Sequence, residues 1–437
     1  MILSRRQLRL LIPVGLAISL SLPGDQTLYA VLPTQAQAVG ISLGMVGVLL
    51  SVNRLIRIPG NSIAGLLNDK FGRRRLFLLG LVLGTLSTAS YAIAQSFPAW
   101  LAGRLLWGIA WSLLNVGGLT MMLDVTEDHD RGRVIGLYQL SYLLGLAFSP
   151  LLGGLLTDIL GFRPALLVGA AITGVAFTIT FFALPETRPT LPATNAHGQP
   201  KERFVKTVVQ AWQRLFPKKE LPWFNHPASE PSHGTQAVRR VQTGKLLAIN
   251  YIYMMTFFAG NGVVMSTISL FLKQYVGDEV LIGNVVLGVA SLGGIFLAIR
   301  SVTGMVAGPI SGHLSDLRGD RWSVVLGGIS IGIAGFGVLI LSRDVWIAAL
   351  GVVLIALSSG TLLTTLAALT GDLADSDRQG QAIGRLATAG DLGSATGPLL
   401  AYAVVSLISL RWIYLLCGLG FVSSLLVLRY AVAGQES

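Results

Sequence analysis

Charge is scarce in this sequence. Asp, Glu, Lys and Arg make up 12% of its 437 residues, where a soluble domain carries roughly 25%. A soluble fold cannot cover its surface with so few charges, so the length does not mean a string of soluble domains. Cysteine is nearly absent. The single Cys417 lies inside an apolar run, which excludes an intramolecular disulfide and a cysteine-based metal site and leaves a small buried hydrophobe. Histidine is rare, and His197, His226 and His233 have no acidic or cysteine ligands beside them, so they read as a solvated loop. No metal and no cofactor is expected.

What is present is apolar. Hydrophobic residues reach 52%, with 52 glycines. A bilayer-crossing helix needs about 20 largely apolar residues. Twelve such stretches stand out, at 8–32, 41–66, 76–96, 98–122, 134–158, 162–184, 246–272, 281–312, 322–341, 345–369, 380–407 and 409–430. The predicted fold is an all-α membrane protein with twelve transmembrane helices. The net charge of +11 does not point to nucleic acid, because the basic residues sit in short bursts between the apolar runs. Arg5, Arg6 and Arg9, then Lys70 with Arg73, Arg74 and Arg75, then Arg131 and Arg133, the segment 188–245, Arg318 with Arg321, Arg378 and Arg429 all fall on one side of this map. The other side has only Arg163, Lys273, Arg343 and Arg411. That asymmetry places both termini and the long loop in the cytoplasm. Ser4-Arg5-Arg6-Gln7-Leu8 has the look of a twin-arginine signal, but the apolar run outlasts a signal peptide and carries Asp25, so a retained first helix is expected.

The long loop divides the chain. Residues 1–186 form one six-helix bundle, 187–245 a basic cytoplasmic linker, and 246–437 a second six-helix bundle. Within the linker, 204–216 places Val205, Val208, Val209, Trp212, Leu215 and Phe216 on one face, as an interfacial amphipathic helix would. The two bundles repeat each other. Gly65, Leu67, Asp69 and Gly72 match Gly312, Leu314, Asp316 and Gly319 at one offset; Asp124, Gly136, Gly145 and Pro150 match Asp372, Gly384, Gly393 and Pro398 one residue later. Six spans is an even number, so the repeats are parallel, related by an axis along the membrane normal.

These residues carry a resemblance. Gly65-Leu-Leu-Asn-Asp69-Lys-Phe-Gly72-Arg73-Arg74 closely resembles the Gly-x-Leu-x-Asp-x-x-Gly-Arg-Arg loop between helices 2 and 3 of the major facilitator superfamily, and 312–321 resembles its weaker second copy. Leu101-x-x-Arg104-x-x-x-Gly108 is similar to that family's fourth-helix motif. Gly145-x-x-x-Ser149-Pro150-x-x-Gly153-Gly154 is similar to the fifth-helix motif of its antiporters, with Ser149 where the pattern has glycine; Gly393, Gly397 and Pro398 stand in the matching part of helix 11. Asp25-x-Thr27 before Ala30-Val31-Leu32-Pro33 resembles a first-helix motif of the drug–proton antiporter branch. The resemblance implies a secondary transporter working by alternating access, with a small-molecule substrate, protons and membrane lipids as partners, acting as a monomer in a bacterial-type inner membrane.

The residues themselves suggest roles. Gly65 and Gly72 allow a tight turn, and Asp69, Arg73, Arg74 and, in the second copy, Gly312, Asp316, Gly319 and Arg321 can make ion pairs across the interface between bundles that set the balance of two states. Gly145, Pro150, Gly153 and Gly154 give a kinked helix with a small-residue face. Charges inside spans are costly and mark pathways. Asp25 and Arg104 lie at similar depth and are candidates for the proton site and its modulator, or alternatively for a static structural pair. Arg54, Arg300 and Asp391 lie near mid-bilayer by residue count, with Arg57 on the same face as Arg54. In the resembled fold helices 2 and 11 adjoin between the bundles, which implies Arg54–Asp391 as a candidate inter-bundle pair; Arg54 and Arg57 are alternatively ligands for an anionic substrate. Asn115, Gln139, Tyr142, Asn250, Tyr253, Asn261 and Asn284 are polar or amphipathic residues in spans, some of which line a cavity.

The leading function is proton-coupled efflux of hydrophobic small molecules. Export or flipping of an anionic or lipid-like substrate, and uptake by a permease, are the rivals. A membrane-embedded enzyme needs a clustered constellation, and only Asp124, Glu127, Asp128, His129 and Asp130 come near one; their place beside Arg131-Gly132-Arg133 suits a loop better. A passive channel is the other reading of a different class.

Overall fold

The computed structural model describes residues 3–127, 130–187, 233–374 and 379–433. Among the described residues, eleven helices are long and apolar enough to cross a bilayer: span 1 (Arg5–Gln35), span 2 (Leu43–Phe71), span 3 (Arg73–Ile93), span 4 (Phe97–Leu123), span 5 (Arg131–Leu160), span 6 (Phe162–Ala183), span 7 (Gln242–Val276), span 8 (Val289–Arg318), span 9 (Arg321–Leu341), span 10 (Val345–Leu373) and span 12 (Leu410–Ala431). Span 11 (Gln379–Val404) is 26 residues long, is interrupted by Arg385 and Asp391, and packs between spans 2 and 7. The surface is what lipid demands. Phe182, Ile159, Leu341, Trp346 and Leu407 are among many exposed apolar side chains, while Trp100, Trp107, Tyr29, Tyr91 and Arg104 are fully buried.

Breaks in the spans have local causes. Span 1 divides at Leu22 into Arg5–Ser21 and Pro23–Gln35. Pro23 has no N–H to continue the first helix, but its fixed φ suits the first position of the second. That new helix start carries Asp25 in its first turn, where the helix dipole favours a carboxylate. Gly72, with φ +91°, turns span 2 into span 3. Asp320 and Asp344 cap spans 9 and 10 through two backbone N–H groups each.

Three features differ from the sequence expectation. Span 7 contains a π-helical stretch, Phe257–Val264, with Asn261 inside it. The helix that runs into span 7 starts at His233, so the last part of 187–245 is helical; the amphipathic segment 204–216 lies outside the described residues. Span 8 starts at Val289, not near 281, because Glu279–Ile282 and Val285–Gly288 pair as an antiparallel hairpin. Gly283, with φ +63°, makes its turn, and Asn284 sits there and not in a span.

Contacts between the repeats follow the expected axis. Span 5 packs on span 8 and span 11 on span 2, one contact being the image of the other. Detail repeats as well. The Pro150 carbonyl lies where a Cβ on Gly294 would be, at 2.3 Å, and the Pro398 carbonyl lies 2.9 Å from the Cβ position of Gly47. Pro150 also leaves the Leu146 carbonyl without its intrahelical donor, and Ser301 Oγ of span 8 donates to it at 3.3 Å. Nearer the face opposite the basic loops, Asp158 accepts from the Ser291 N–H at 2.7 Å, and Lys273 Nζ donates to the Thr34 carbonyl at 3.4 Å. These ties run from mid-membrane to that opposite face, so the molecule is closed there.

Candidate functional site

Asp25 is held by three side chains. Arg104 of span 4 pairs with its Oδ1 at 2.5 Å, Asn53 of span 2 donates to the same oxygen at 3.2 Å, and Gln26 donates to Oδ2 at 3.0 Å. Arg104 also donates through Nε to the Leu49 carbonyl at 2.9 Å. The pair is sealed: side-chain exposure is 0% for Arg104 and 3% for Asp25. A charge pair this deep survives only with such additional hydrogen bonds. Tyr29 joins it to the next layer. Its ring lies 5.6 Å from the Arg104 guanidinium and 5.4 Å from that of Arg54, and its hydroxyl accepts from Arg54 Nε at 3.0 Å. Neither Asn53 nor Tyr29 stands out in the sequence; the available signal is that the polar Asn53 lies directly beside Arg54.

A second set of charges lies toward mid-membrane. Arg54, Arg57, Arg300 and Asp391 are each only partly buried, unlike Arg104. Arg54 reaches Met265 Sδ at 3.8 Å, and Arg300 donates to Asn261 Oδ1, one turn away on span 7. Arg57 stacks over Trp111 at 5.2 Å. The expected Arg54–Asp391 pair is not formed in this conformation, since Asp391 makes no ion pair within 4.0 Å. Equal depth and the adjacency of helices 2 and 11 suggest the pair, but neither fixes side-chain direction: Arg54 points to Tyr29 and span 7.

On the basic face the loop motif forms a compact network inside each repeat. Arg73 pairs with Asp69 at 3.8 Å and with Asp124 at 3.0 Å. Arg321 pairs with Asp316 at 3.3 Å and with Asp372 at 2.7 Å. Thr187 donates to Asp124 at 3.0 Å, and Glu186 caps span 3 by accepting from the Arg73 N–H at 3.1 Å. Arg74 donates to the carbonyls of Leu184 and Phe181, both at 2.6 Å. These ion pairs therefore tie neighbouring spans of one repeat and do not bridge the two. Asp69 is 75% exposed. Arg73, 12% exposed, is better shielded than Arg321 at 28%. Accordingly Arg73→Gln should lower thermal stability by about 1–3 kcal/mol and Arg321→Gln by under ~1 kcal/mol, read as unfolding in detergent. Gly65 and Gly319 face open space, while a Cβ on Gly312 would make ordinary contact with the Thr364 side chain at 3.5 Å. Asp128 and His129 lie outside the described residues, and among those described no group of three metal-ligating side chains occurs.

The helix-5 glycines divide their work. Gly145 packs on Ser19 and Gly153 on Thr27, both in span 1; Gly154 packs across on Ala290 of span 8. In span 11, Gly393 and Gly397 pack on span 7 at Met254 and Gly262.

Among the described residues, twelve long helices in two parallel repeats, closed on one face, with a sealed ion pair in the first repeat and partly buried charges at mid-membrane, have the architecture of a membrane transporter. The sequence pattern of the Major Facilitator Superfamily matches residues 14–305 and 290–436, and the chain belongs to that family. It is 26% identical over 377 residues to the class C tetracycline resistance protein of Escherichia coli, covering 84% of this chain and 81% of that one. It is 24% identical to the multidrug resistance protein Stp of Mycobacterium tuberculosis, covering 94% and 77%. Among solved structures, a bacterial homologue of the human lysosomal transporter Spinster, inward-facing and unoccupied, aligns over 99% of this chain and 96% of its own with TM-score 0.68 at 15% identity. The human organic anion transporter MFSD10 aligns over 97% and 99% with TM-score 0.60 at 19% identity.

Proposed function

We propose that this protein exports amphipathic small molecules in exchange for protons, with Asp25 as the proton-binding group and Arg104 as its modulator. The sealed Asp25–Arg104 pair carries this reading, because exchange of that arginine for a proton changes the charge held between spans 1, 2 and 4. Such a change favours one arrangement of the repeats over another. The basic loops, by their positive charge, belong to the cytoplasm of a bacterial-type inner membrane, with both termini there. The conformation closed on the opposite face is then the one that loads substrate from the cytoplasm. Export of drug-like compounds is supported by the tetracycline and multidrug resistance relatives. The functional units are the bundles 1–186 and 246–437 joined by the linker 187–245, and one copy suffices.

Reconstitution into proteoliposomes under an imposed pH gradient tests this. The expected result is uphill movement of at least one amphipathic compound, with proton flux evoked by its addition. Movement only down its own gradient would make the protein a passive channel.

A further inference from the structure

We infer that the transported molecule is an organic anion: an apolar body bearing one carboxylate, sulfonate or phosphate, whose head is held between Arg54, Arg57 and Arg300. This rests on the exporter reading above and names its substrate class. Four charged groups lie near mid-membrane where the repeats meet, namely Arg54 and Arg57 from span 2, Arg300 from span 8 and Asp391 from span 11. Asp25, the other carboxylate nearby, is taken by Arg104, Asn53 and Gln26. Three guanidiniums thus meet one carboxylate, and that carboxylate is in ion-pair contact with none of them.

Geometry gathers the three. Arg54 and Arg300 end on Met265 and Asn261, successive positions on one side of span 7, and Arg57 stands one turn from Arg54. Their contacts are neutral: a tyrosine hydroxyl, a thioether, an amide oxygen and an indole face. Neutral partners orient a guanidinium without cancelling its charge. Buried Nε atoms of Arg57 and Arg300 have no hydrogen-bond partner, so the protein leaves these guanidiniums unsaturated. The planar guanidinium fork matches carboxylate, sulfonate and phosphate oxygens and has no acceptor to offer a cation. The π-helical stretch of span 7 builds the cradle. It carries Asn261, which fixes Arg300, and Gly260, over which the Arg300 side chain lies. Aromatic surfaces flank the charges, with Trp111 packed on Tyr142 at 5.5 Å and Tyr253 on Phe257 at 4.9 Å, and these suit an apolar body.

A series with one body and three charges tests it: naphthalene-1-sulfonate, 1-naphthol and 1-naphthylmethylammonium. Binding to the purified full-length protein is read by tryptophan quenching, and transport by pH-driven flux in proteoliposomes. The sulfonate is expected to bind about tenfold or more tighter than the ammonium compound. Arg54→Gln and Arg300→Gln should each weaken it by about tenfold or more. Arg54→Lys and Arg300→Lys keep the charge, guard against misfolding, and should lose less. Asp391→Asn removes the competing anion and should tighten sulfonate binding. Tighter binding of the ammonium compound, no sulfonate binding by folded protein, or sulfonate binding indifferent to Arg54→Gln and Arg300→Gln would each overturn the proposal. Uphill transport of naphthol or ammonium alone would sink the anion site and leave the exporter standing. Arginine-dependent sulfonate binding without pH-driven flux would sustain the site and sink the exporter.

Discussion

Asp25→Asn costs this protein more stability than Arg104→Gln, and it abolishes pH-driven transport. Both changes break the same ion pair, and the asymmetry lies in what is left behind. Asparagine leaves Arg104 fully buried, with the Leu49 carbonyl as its remaining strong partner. A guanidinium cannot shed its charge, so the loss approaches the ~3–5 kcal/mol of a broken buried pair. Glutamine at 104 leaves a carboxyl group that can become neutral by binding a proton, still facing Asn53 and Gln26. Its loss should be nearer ~1–3 kcal/mol. The double variant, with no charge in the site, should recover part of the Asp25→Asn loss. Cys417 supplies the readout, since it is a lone thiol and 1% exposed, and a thiol-reactive dye reaches it on unfolding. In proteoliposomes Asp25→Asn should still exchange substrate for substrate while failing to use a pH gradient. Wild-type stability together with full pH-driven flux in Asp25→Asn would refute both halves of the expectation.

How legible this was depended on the kind of information each feature needs. Scarcity of charge exposed Asp25 and Arg104, because in a chain with 12% charged residues a carboxylate and an arginine at equal depth are conspicuous. Repetition exposed the fold, and the pairing of Arg73 with Asp124 and of Arg321 with Asp372 repeats as the sequence does. Direction around a helix was harder. Residue counting put Arg54 and Asp391 at one level but could not say that Arg54 turns to Tyr29. The loop motif showed charges able to pair and suggested pairing between bundles, but spacing along the chain does not fix the partner, and the pairs form within each repeat. The π-helical stretch of span 7 has no pattern of its own in a run as apolar as Phe257–Val264. Asp158 carries no signal in the sequence, and only the fold shows it accepting from the Ser291 N–H of the other repeat.

Gly154→Ala opens the closed face and stops transport, whereas Gly153→Ala one residue earlier only weakens the fold. The two glycines point to different interfaces. A Cβ on Gly153 would meet Thr27 Oγ1 at 1.9 Å and Thr27 Cβ at 2.7 Å, inside the first repeat. That contact is the same in every arrangement of the repeats, so its cost of about 1–3 kcal/mol falls on stability. A Cβ on Gly154 would meet the Ala290 carbonyl oxygen at 2.2 Å and its carbon at 2.8 Å, across the seam with span 8. Those are backbone atoms and cannot turn aside. Spans 5 and 8 must separate, and the same cost now falls only on the state in which they touch. Differential destabilisation of that size changes the ratio of two states by about 5- to 150-fold. Gly294→Ala strikes the matching point, 2.3 Å from the Pro150 carbonyl oxygen, and should behave as Gly154→Ala does. Spin labels at Gln37, just past span 1, and at Gln274, in the last turn of span 7, both exposed, report the separation, and buried Cys417 does not interfere. The distance distribution should lengthen in Gly154→Ala and Gly294→Ala, stay unchanged in Gly153→Ala, and be matched by at least a tenfold fall in flux for the first two. Because Asp158 and Lys273 hold the same face by single hydrogen bonds, a distribution unaltered by Gly154→Ala would mean that those bonds, and not the glycine seam, close the molecule.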